Sequence, residues 1–338
     1  MPIAVSIATR SGLSATTVAD LARRAEDQGL DALFLAESAS DSFVFAQAAL
    51  AATRTLIVGT AVANARLRHP VAAAMATATL DEWSRGRFRV GLGVSNPAFN
   101  ETLLGMPPVP AVAFMRDYVA RMREVLDPAS GGALKTDRPV THRVPIMLAA
   151  LQPRMLALAG EIADAVVLSL TTPRTITSML AHVAAGASGR PAGAAAVRVE
   201  CVLPCCLDED HAAARRAGRG VVIGYARHPA AVRLFAARGF ATELAGVVAA
   251  LDRGDIEAAH RVVGDDMVDD FVLVGDLDRC ADRVAAYLAA GVDQPALFPL
   301  PADGDWHTAI ARTIDLATTL LPDHSLLPEK SYTRRVLT

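Results

Sequence analysis

The stretch VPIMLAALQPRMLALAGEIADAVVLSL, residues 144–170, decides the fold. Residues 145–148 form a short apolar run behind a proline, the pattern of a strand covered on both faces, and such strands belong to parallel sheets. Met155, Leu156, Leu158, Ala159 and Ile162 then recur at helical spacing, with Pro153 where a first-turn proline is tolerated. Asp164 leads into a second apolar strand over 165–168. The crossover between the two strands is therefore a helix. Between strand and helix lies Ala149-Ala150-Leu151-Gln152, where unpaired N–H groups and the helix dipole favour a phosphate. Arg154, in the first turn, opposes that dipole unless an anion is present. On these residues alone two readings stand: a tight loop with a solvated arginine, or an anion site.

Working outward, strand and helix alternate from the first residues. Strands are expected at 3–8, 32–36, 56–59 and 87–93, and helices at 15–28, 42–53, 70–83 and 112–126. Residues 127–143 read as a surface loop, 174–187 as a helix, 186–193 as a flexible join and 197–207 as a long strand. The rhythm then breaks: 208–270 offers helical pieces at 212–223, 230–238, 242–253 and 256–263 with no strand between them. A short strand is expected at 271–274 to close this excursion, before a last barrel helix at 277–290, a last strand at 294–298 and a terminal helix at 306–320. Eight βα units with one long insertion suit a closed (β/α)8 TIM barrel better than an open doubly wound sheet. No G-x-G-x-x-G follows the first strand, which runs into Thr9-Arg10-Ser11-Gly12. The expected organisation is one barrel domain over 1–322, with the insertion at 208–270, and a tail over 323–338.

The chain has 338 residues, of which 52% are hydrophobic and 20% charged, enough to bury a large core. A formal net charge of −3 excludes a basic footprint for nucleic acid. Lysine occurs only at Lys135 and Lys330, and the arginine and alanine bias is that of a GC-rich bacterial genome. The four cysteines lack disulfide or zinc spacing and read as reduced thiols. Neither a signal peptide nor a run of 18 apolar residues is present, so the expectation is a cytoplasmic protein with no membrane partner. The run Asp265, Asp266, Asp269 and Asp270 reads as a solvated linker rather than a metal site. No metal is expected. His69, before Pro70 at a helix start, reads as a capping histidine, and Tyr225, Arg227 and His228 fit a solvated helix end or a cover over a ligand site equally well.

In a barrel, ligands are touched by residues at the carboxyl ends of the strands. That nominates Glu37 and Ser38, Ala61 to Asn64, Val94 to Asn96, Leu151 to Arg154, and Thr171-Thr172. Several of these lie in motifs that carry a resemblance: GLDALF at 29–34; VGTAVAN at 58–64 with Arg68-His69-Pro70; Gly86-Arg87-Phe88 leading to GLGVSNP at 91–97; Pro153-Arg154-Met155 with AGEIAD at 159–164; and AAGVD at 289–293. In their order and spacing they resemble the luciferase-like monooxygenase superfamily, in particular its bacterial branch that uses the deazaflavin coenzyme F420.

The resemblance implies an oxidoreductase acting on a small-molecule substrate, with F420 or, as the alternative, FMN as cofactor, and a homodimer. It implies a bulge after the third strand, often with a non-prolyl cis peptide, at Ala61-Val62 with Ala63 and Asn64 following. It places Val94 and Ser95 beside the cofactor and the phosphate loop at Ala150, Leu151, Gln152, Arg154 and Met155. Glu37 and Ser38 match an acid and histidine pair facing the reacting carbon, and Asn96 stands where relatives carry a glutamate or histidine. This chain departs in three places. Ser38 removes the imidazole, Asn96 cannot carry a proton at neutral pH, and Gln152 replaces a glycine where its side chain would crowd a phosphate. A barrel that binds cofactor without turnover is the remaining alternative. The apolar residues Phe43, Phe45, Phe99 and Met106 are the expected substrate-side lining.

Overall fold

The computed structural model describes residues 2–127 and 143–321. Apart from residues 127 and 143, the loop expected over 127–143 lies outside them, as do Lys135, Lys330 and the tail at 323–338.

Eight strands close a parallel barrel: β1 Ala4–Ala8, β2 Ala32–Ala36, β3 Ile57–Thr60 continued by β4 Ala63–Asn64, β5 Phe88–Gly93, β6 Ile146–Ala149, β7 Ala165–Ser169, β8 Arg198–Leu207 and, after the insertion, β10 Gln294–Pro299. Closure runs through β10, which pairs with β1 at Ala4↔Ala296 and with β8 from Gln294↔Glu200 to Pro299↔Cys205. Every pairing is parallel, so all carboxyl ends share one rim. The sheet is wrapped by α1 Ala15–Asp27, α2 Ser42–Ala52, α3 Pro70–Ser84, α4 Ala111–Leu126, α5 Pro153–Ile162, α6 Pro173–Ala187, α12 Leu277–Ala289 and α13 Trp306–Thr319.

Alternation along the strands sorts side chains into two layers. Val5, Ile7, Leu33, Leu35, Val90, Leu92, Ile146, Leu148, Val166 and Leu168 face outward into the core shared with the helices. Ala4, Ala32, Phe34, Met147, Ala165, Val167 and Ala296 face inward and fill the barrel. At the amino end of the barrel the inward positions become polar: Arg89 donates to Glu200 at 3.4 Å and to Gln294 at 3.2 Å. Burial pushes the Glu200 carboxyl above its usual range against the pull of Arg89 and Arg198.

The insertion comprises α7 His211–Tyr225, α8 Pro229–Ala237, α9 Ala241–Asp252, α10 Ile256–Val262 and α11 Asp265–Phe271, packed around their own apolar cluster. Two expectations are corrected here. The acidic run is no linker: it forms α11, and its carboxylates meet arginines of neighbouring helices, Asp265 with Arg219 at 2.7 Å and Asp269 with Arg279 at 3.0 Å and Arg215 at 3.2 Å. The strand expected at 271–274 is β9 Leu273–Gly275, and it adds to the far end of β8 at Cys205↔Leu273 instead of joining the barrel ring.

Candidate functional site

The rim is built by the loops that leave the strands. At the end of β3 the chain steps outward. Val58 and Gly59 pair with Phe88 and Arg89, while Ala63 and Asn64 pair with Leu92 and Gly93, so residues 60–62 oppose only 90 and 91. One extra residue makes a bulge. Thr60 bridges the interrupted ladder, its hydroxyl donating to the Gly91 carbonyl at 2.7 Å and accepting from the Gly91 N–H at 2.9 Å. The peptide between Ala61 and Val62 within that bulge is cis, at the position the resemblance names.

The bulge turns Val62 over the end of β5. A Cβ on Gly93 would stand 2.9 Å from Val62 Cγ2 and 3.3 Å from Ala149 Cβ, so the bare glycine is what lets the two strands' side chains meet. Continuing the inward alternation gives the uppermost layer: Ala8, Ala36, Val62, Gly93, Ala149, Ser169 and Phe298, several of them half-buried. They form a small, uncharged floor with one aromatic side, suited to a flat ring. Phe298 was not among the candidates. The phase of β10, with Gln294 and Ala296 inward, is the signal that identifies it.

One side of the rim is tightly knit. Glu37, its side chain 3% exposed, accepts from Arg68 at both oxygens, 2.5 and 2.9 Å, from the Asn64 N–H at 2.8 Å and from Ser42 N–H and hydroxyl at 3.2 and 3.1 Å. Arg68 also pairs with Asp41 at 2.8 Å and lies over the Phe43 ring at 4.7 Å. Burial raises the Asp41 carboxyl, but Arg68 and the Phe43 and Val44 amides outweigh it and hold the group below its ordinary value. Asn64 donates to Asn100 at 2.8 Å, and Asn100 donates to the Val94 carbonyl at 2.6 Å, locking the β3 and β5 loops together. Asn96 accepts from the Ala98 N–H at 2.9 Å, where the single wide turn Ala98–Leu103 begins, and Ser95 before it has φ 60°. Ser38 bonds to Thr9 through its N–H at 2.9 Å and its hydroxyl at 3.3 Å. Glu37, Ser38, Ser40, Asp41, Leu67 and Arg68 line an open cleft of about 270 Å³. Phe43 and Phe45, expected as lining, instead pack with the main core.

The opposite side is looser in charge. Ala150, Leu151 and Gln152 follow β6 and α5 starts at Pro153, with no side chain capping its amino end and no acidic residue in its first turn. By contrast Ser14, Asp41, His69 and Asp305 cap α1, α2, α3 and α13. Met155 is buried, its N–H given to the Gln152 carbonyl at 2.9 Å. The Gln152 side chain does not crowd the loop. It reaches to the insertion, donating to the Ala230 carbonyl at 3.3 Å and accepting from Arg233 Nε at 2.9 Å. Thr171 holds Tyr287, which donates to its carbonyl at 2.7 Å, and Thr172 caps α6. His228 caps α8, accepting from the Ala230 and Ala231 N–H groups at 3.2 and 3.4 Å. Burial, helped by Arg233, pushes its imidazole below the usual value. The Tyr225 ring stands edge-on to His228, 6.0 Å between centroids; burial pushes its hydroxyl up while Arg10, in the loop after β1, pulls it back. The insertion therefore reaches the β6 loop through α8. Arg227 pairs with Asp252 on the surface.

Comparison with known proteins decides the lineage. The luciferase-like monooxygenase family model matches residues 1–294. The chain belongs to the luciferase-like monooxygenase family. A relative named "Putative coenzyme F420-dependent oxidoreductase", from Mycobacterium tuberculosis, is 30% identical over 307 residues, covering 81% of this chain and 88% of that protein. The 5,10-methylenetetrahydromethanopterin reductase of Methanolobus tindarius is 27% identical over 292 residues, covering 82% and 88%. Among solved structures, the coenzyme F420-dependent tetrahydromethanopterin reductase of Methanopyrus kandleri superposes with a TM-score of 0.81 at 24% identity, covering 95% of this chain and 99% of that one. That likeness speaks for the fold. No described helix is long and apolar enough to cross a membrane, and no group of His, Cys, Asp and Glu among the described residues could hold a metal.

Proposed function

We propose that this protein is an oxidoreductase that passes hydride between coenzyme F420 and a small, weakly charged organic substrate. The observation that carries the reading is the floor built from Ala36, Val62, Gly93 and Ala149, a surface without charge or bulk on which a tricyclic ring can lie flat. The relative named as a putative coenzyme F420-dependent oxidoreductase supports the choice of cofactor. When bound, the deazaflavin supplies the hydride-accepting and hydride-donating carbon. The chain's own work is positional. Val62 and Gly93 support the ring from below, the loop from Ala150 to Met155 receives the phosphate, and the insertion limits water.

Glu37 is spent on Arg68, Ser42 and Asn64, so its place is to fix the bulge. Ser38 and Asn96 offer hydroxyl and amide groups that can hold a substrate oxygen but not exchange a proton at neutral pH. A proton accompanying the hydride would therefore come from solvent. FMN with oxygen is the second reading, favoured by the family to which the chain belongs. A titration of the protein with F420 and with FMN, followed by absorbance of each reduced cofactor in air, separates the two: rapid oxidation of bound reduced FMN with no F420 binding rejects the first. Binding of F420 without hydride exchange against a panel of alcohols, imines and enones would instead identify a non-catalytic barrel.

A second copy of the chain is the proposed partner, through α2 and α3. No charged residue occurs from Ser42 to Thr53 or from Pro70 to Leu80, and the outward positions include Val44, 56% exposed, and Met75, 55% exposed. Such a face complements itself under a two-fold axis and gives a charged partner nothing to pair with. Sedimentation of the wild type as a dimer and of Met75→Glu as a monomer is the expected result. The four free buried cysteines suit a reducing compartment, and the cytoplasm is the proposed location.

A further inference from the structure

The mouth contains a contact that the cofactor reading does not need. Gln152 uses both ends of its amide on α8, and the result is to fix Arg233 beside the phosphate loop by a single Nε hydrogen bond of 2.9 Å. The two Nη groups of Arg233 have no partner among the described residues, and its side chain is exposed. Arg154, two residues from Gln152, is exposed and equally unpaired among the described residues. Elsewhere in the insertion Arg215, Arg216, Arg219, Arg227 and Arg238 each meet a carboxylate. Arg154 in the first turn of α5 and Arg233 bonded to its N-cap residue both add positive charge at the positive end of a helix dipole, which is repulsive. An anion with more than one charge removes that repulsion.

We propose that Arg233 is a specificity-determining residue of the cofactor site: Gln152 aims it, and its guanidinium receives the negatively charged tail that distinguishes coenzyme F420 from FMN. The inference rests on the cofactor reading above and deepens it. F420 carries a phosphodiester followed by glutamyl carboxylates, whereas FMN ends at one phosphate. Arg154 and the α5 amides lie on the phosphate side. Arg233 comes from α8 of the insertion, and its free Nη pair suits a carboxylate held bidentately. The glutamine at 152, which looks obstructive in the sequence, is thus a bracket for the second cation.

The test is equilibrium binding, read by cofactor fluorescence, of F420, of its phosphate-free deazaflavin chromophore and of FMN to wild type, Arg233→Gln, Arg233→Lys and Gln152→Gly. Arg233→Gln should raise the F420 Kd about tenfold, leave the chromophore Kd within about twofold and flatten the salt dependence of F420 binding. Arg233→Lys should recover part of the loss by restoring charge without the fork. Gln152→Gly should weaken F420 less than Arg233→Gln and add nothing in the double variant. Unchanged F420 affinity in Arg233→Gln overturns the proposal, and so does an equal loss for the chromophore or for FMN. Wild type that binds neither F420 nor the chromophore rejects the cofactor reading itself, a separate result. Arg233 is exposed, and matching thermal melts of the variants will exclude a folding defect.

Discussion

The two sides of the barrel mouth handle polar groups in opposite ways. From β2 to β5, Glu37, Arg68, Asp41, Asn64, Asn100 and Asn96 satisfy one another, and almost every hydrogen-bonding atom the sequence nominated for chemistry is spent on holding loops in place. From β6 to α8, the helix start is uncapped, and Arg154 and Arg233 have no acid partner among the described residues. A closed network defines shape, and an open one has free energy left to give a ligand. Under the proposed function the first side is architecture and the second is recognition.

The hardest blow to that division would come from Glu37. Glu37→Ala leaves Arg68 half-buried beside Asp41 alone, and stability should fall by about 3 kcal/mol, measured as a lower urea midpoint. A variant that folds as tightly as wild type would show the carboxylate to be free for catalysis. Gly93→Val sharpens the picture of the floor. Its added carbons would press Val62 and Ala149, costing about 2 kcal/mol in the melt and at least about tenfold in cofactor affinity. Asn100→Ala leaves the Asn64 amide buried without its acceptor, and a loss of about 1–2 kcal/mol in chemical denaturation is expected, with cofactor affinity reduced through the shifted bulge.

Acid should act on the recognition side. The neutral His228 imidazole is favoured by the fold, so its contribution is present above the unfolded value of about 6.5 and is lost as pH falls through its lowered folded value. The expected loss of thermal stability on acidification in that window, about 1 kcal/mol or less, should disappear in His228→Asn, which keeps a capping oxygen. The smallest effect belongs to Arg227→Ala. Its pair with Asp252 is more than half exposed, and a change within about 0.5 kcal/mol is expected; a larger one would mean the turn between α7 and α8 bears more of the lid than its geometry implies.

Much of this was legible in the chain. The strand, helix, strand unit at 144–170 appears as β6, α5 and β7 with ends shifted by a residue or so, because buried parallel strands and first-turn prolines leave local marks. The acidic run at 265–270 was misread because its helix has no apolar periodicity long enough to see; arginines on α7 and α12, distant in sequence, hold it. Phe43 and Phe45 looked like substrate lining because an aromatic pair near the rim gives no sign of which way α2 faces.

The sequence by itself determined the parallel alternation, the barrel and the family, since hydrophobic period and motif order are properties of the chain. It also determined which residue types reach the rim. Only the tertiary structure decided what those residues do. Whether Glu37 faces a ligand or an arginine, and whether Gln152 blocks a loop or braces a helix, depends on partners supplied by segments some thirty to eighty residues away. Hydrogen bonding and charge pairing act through space over a few ångströms, and one-dimensional order does not record which distant groups are brought that close.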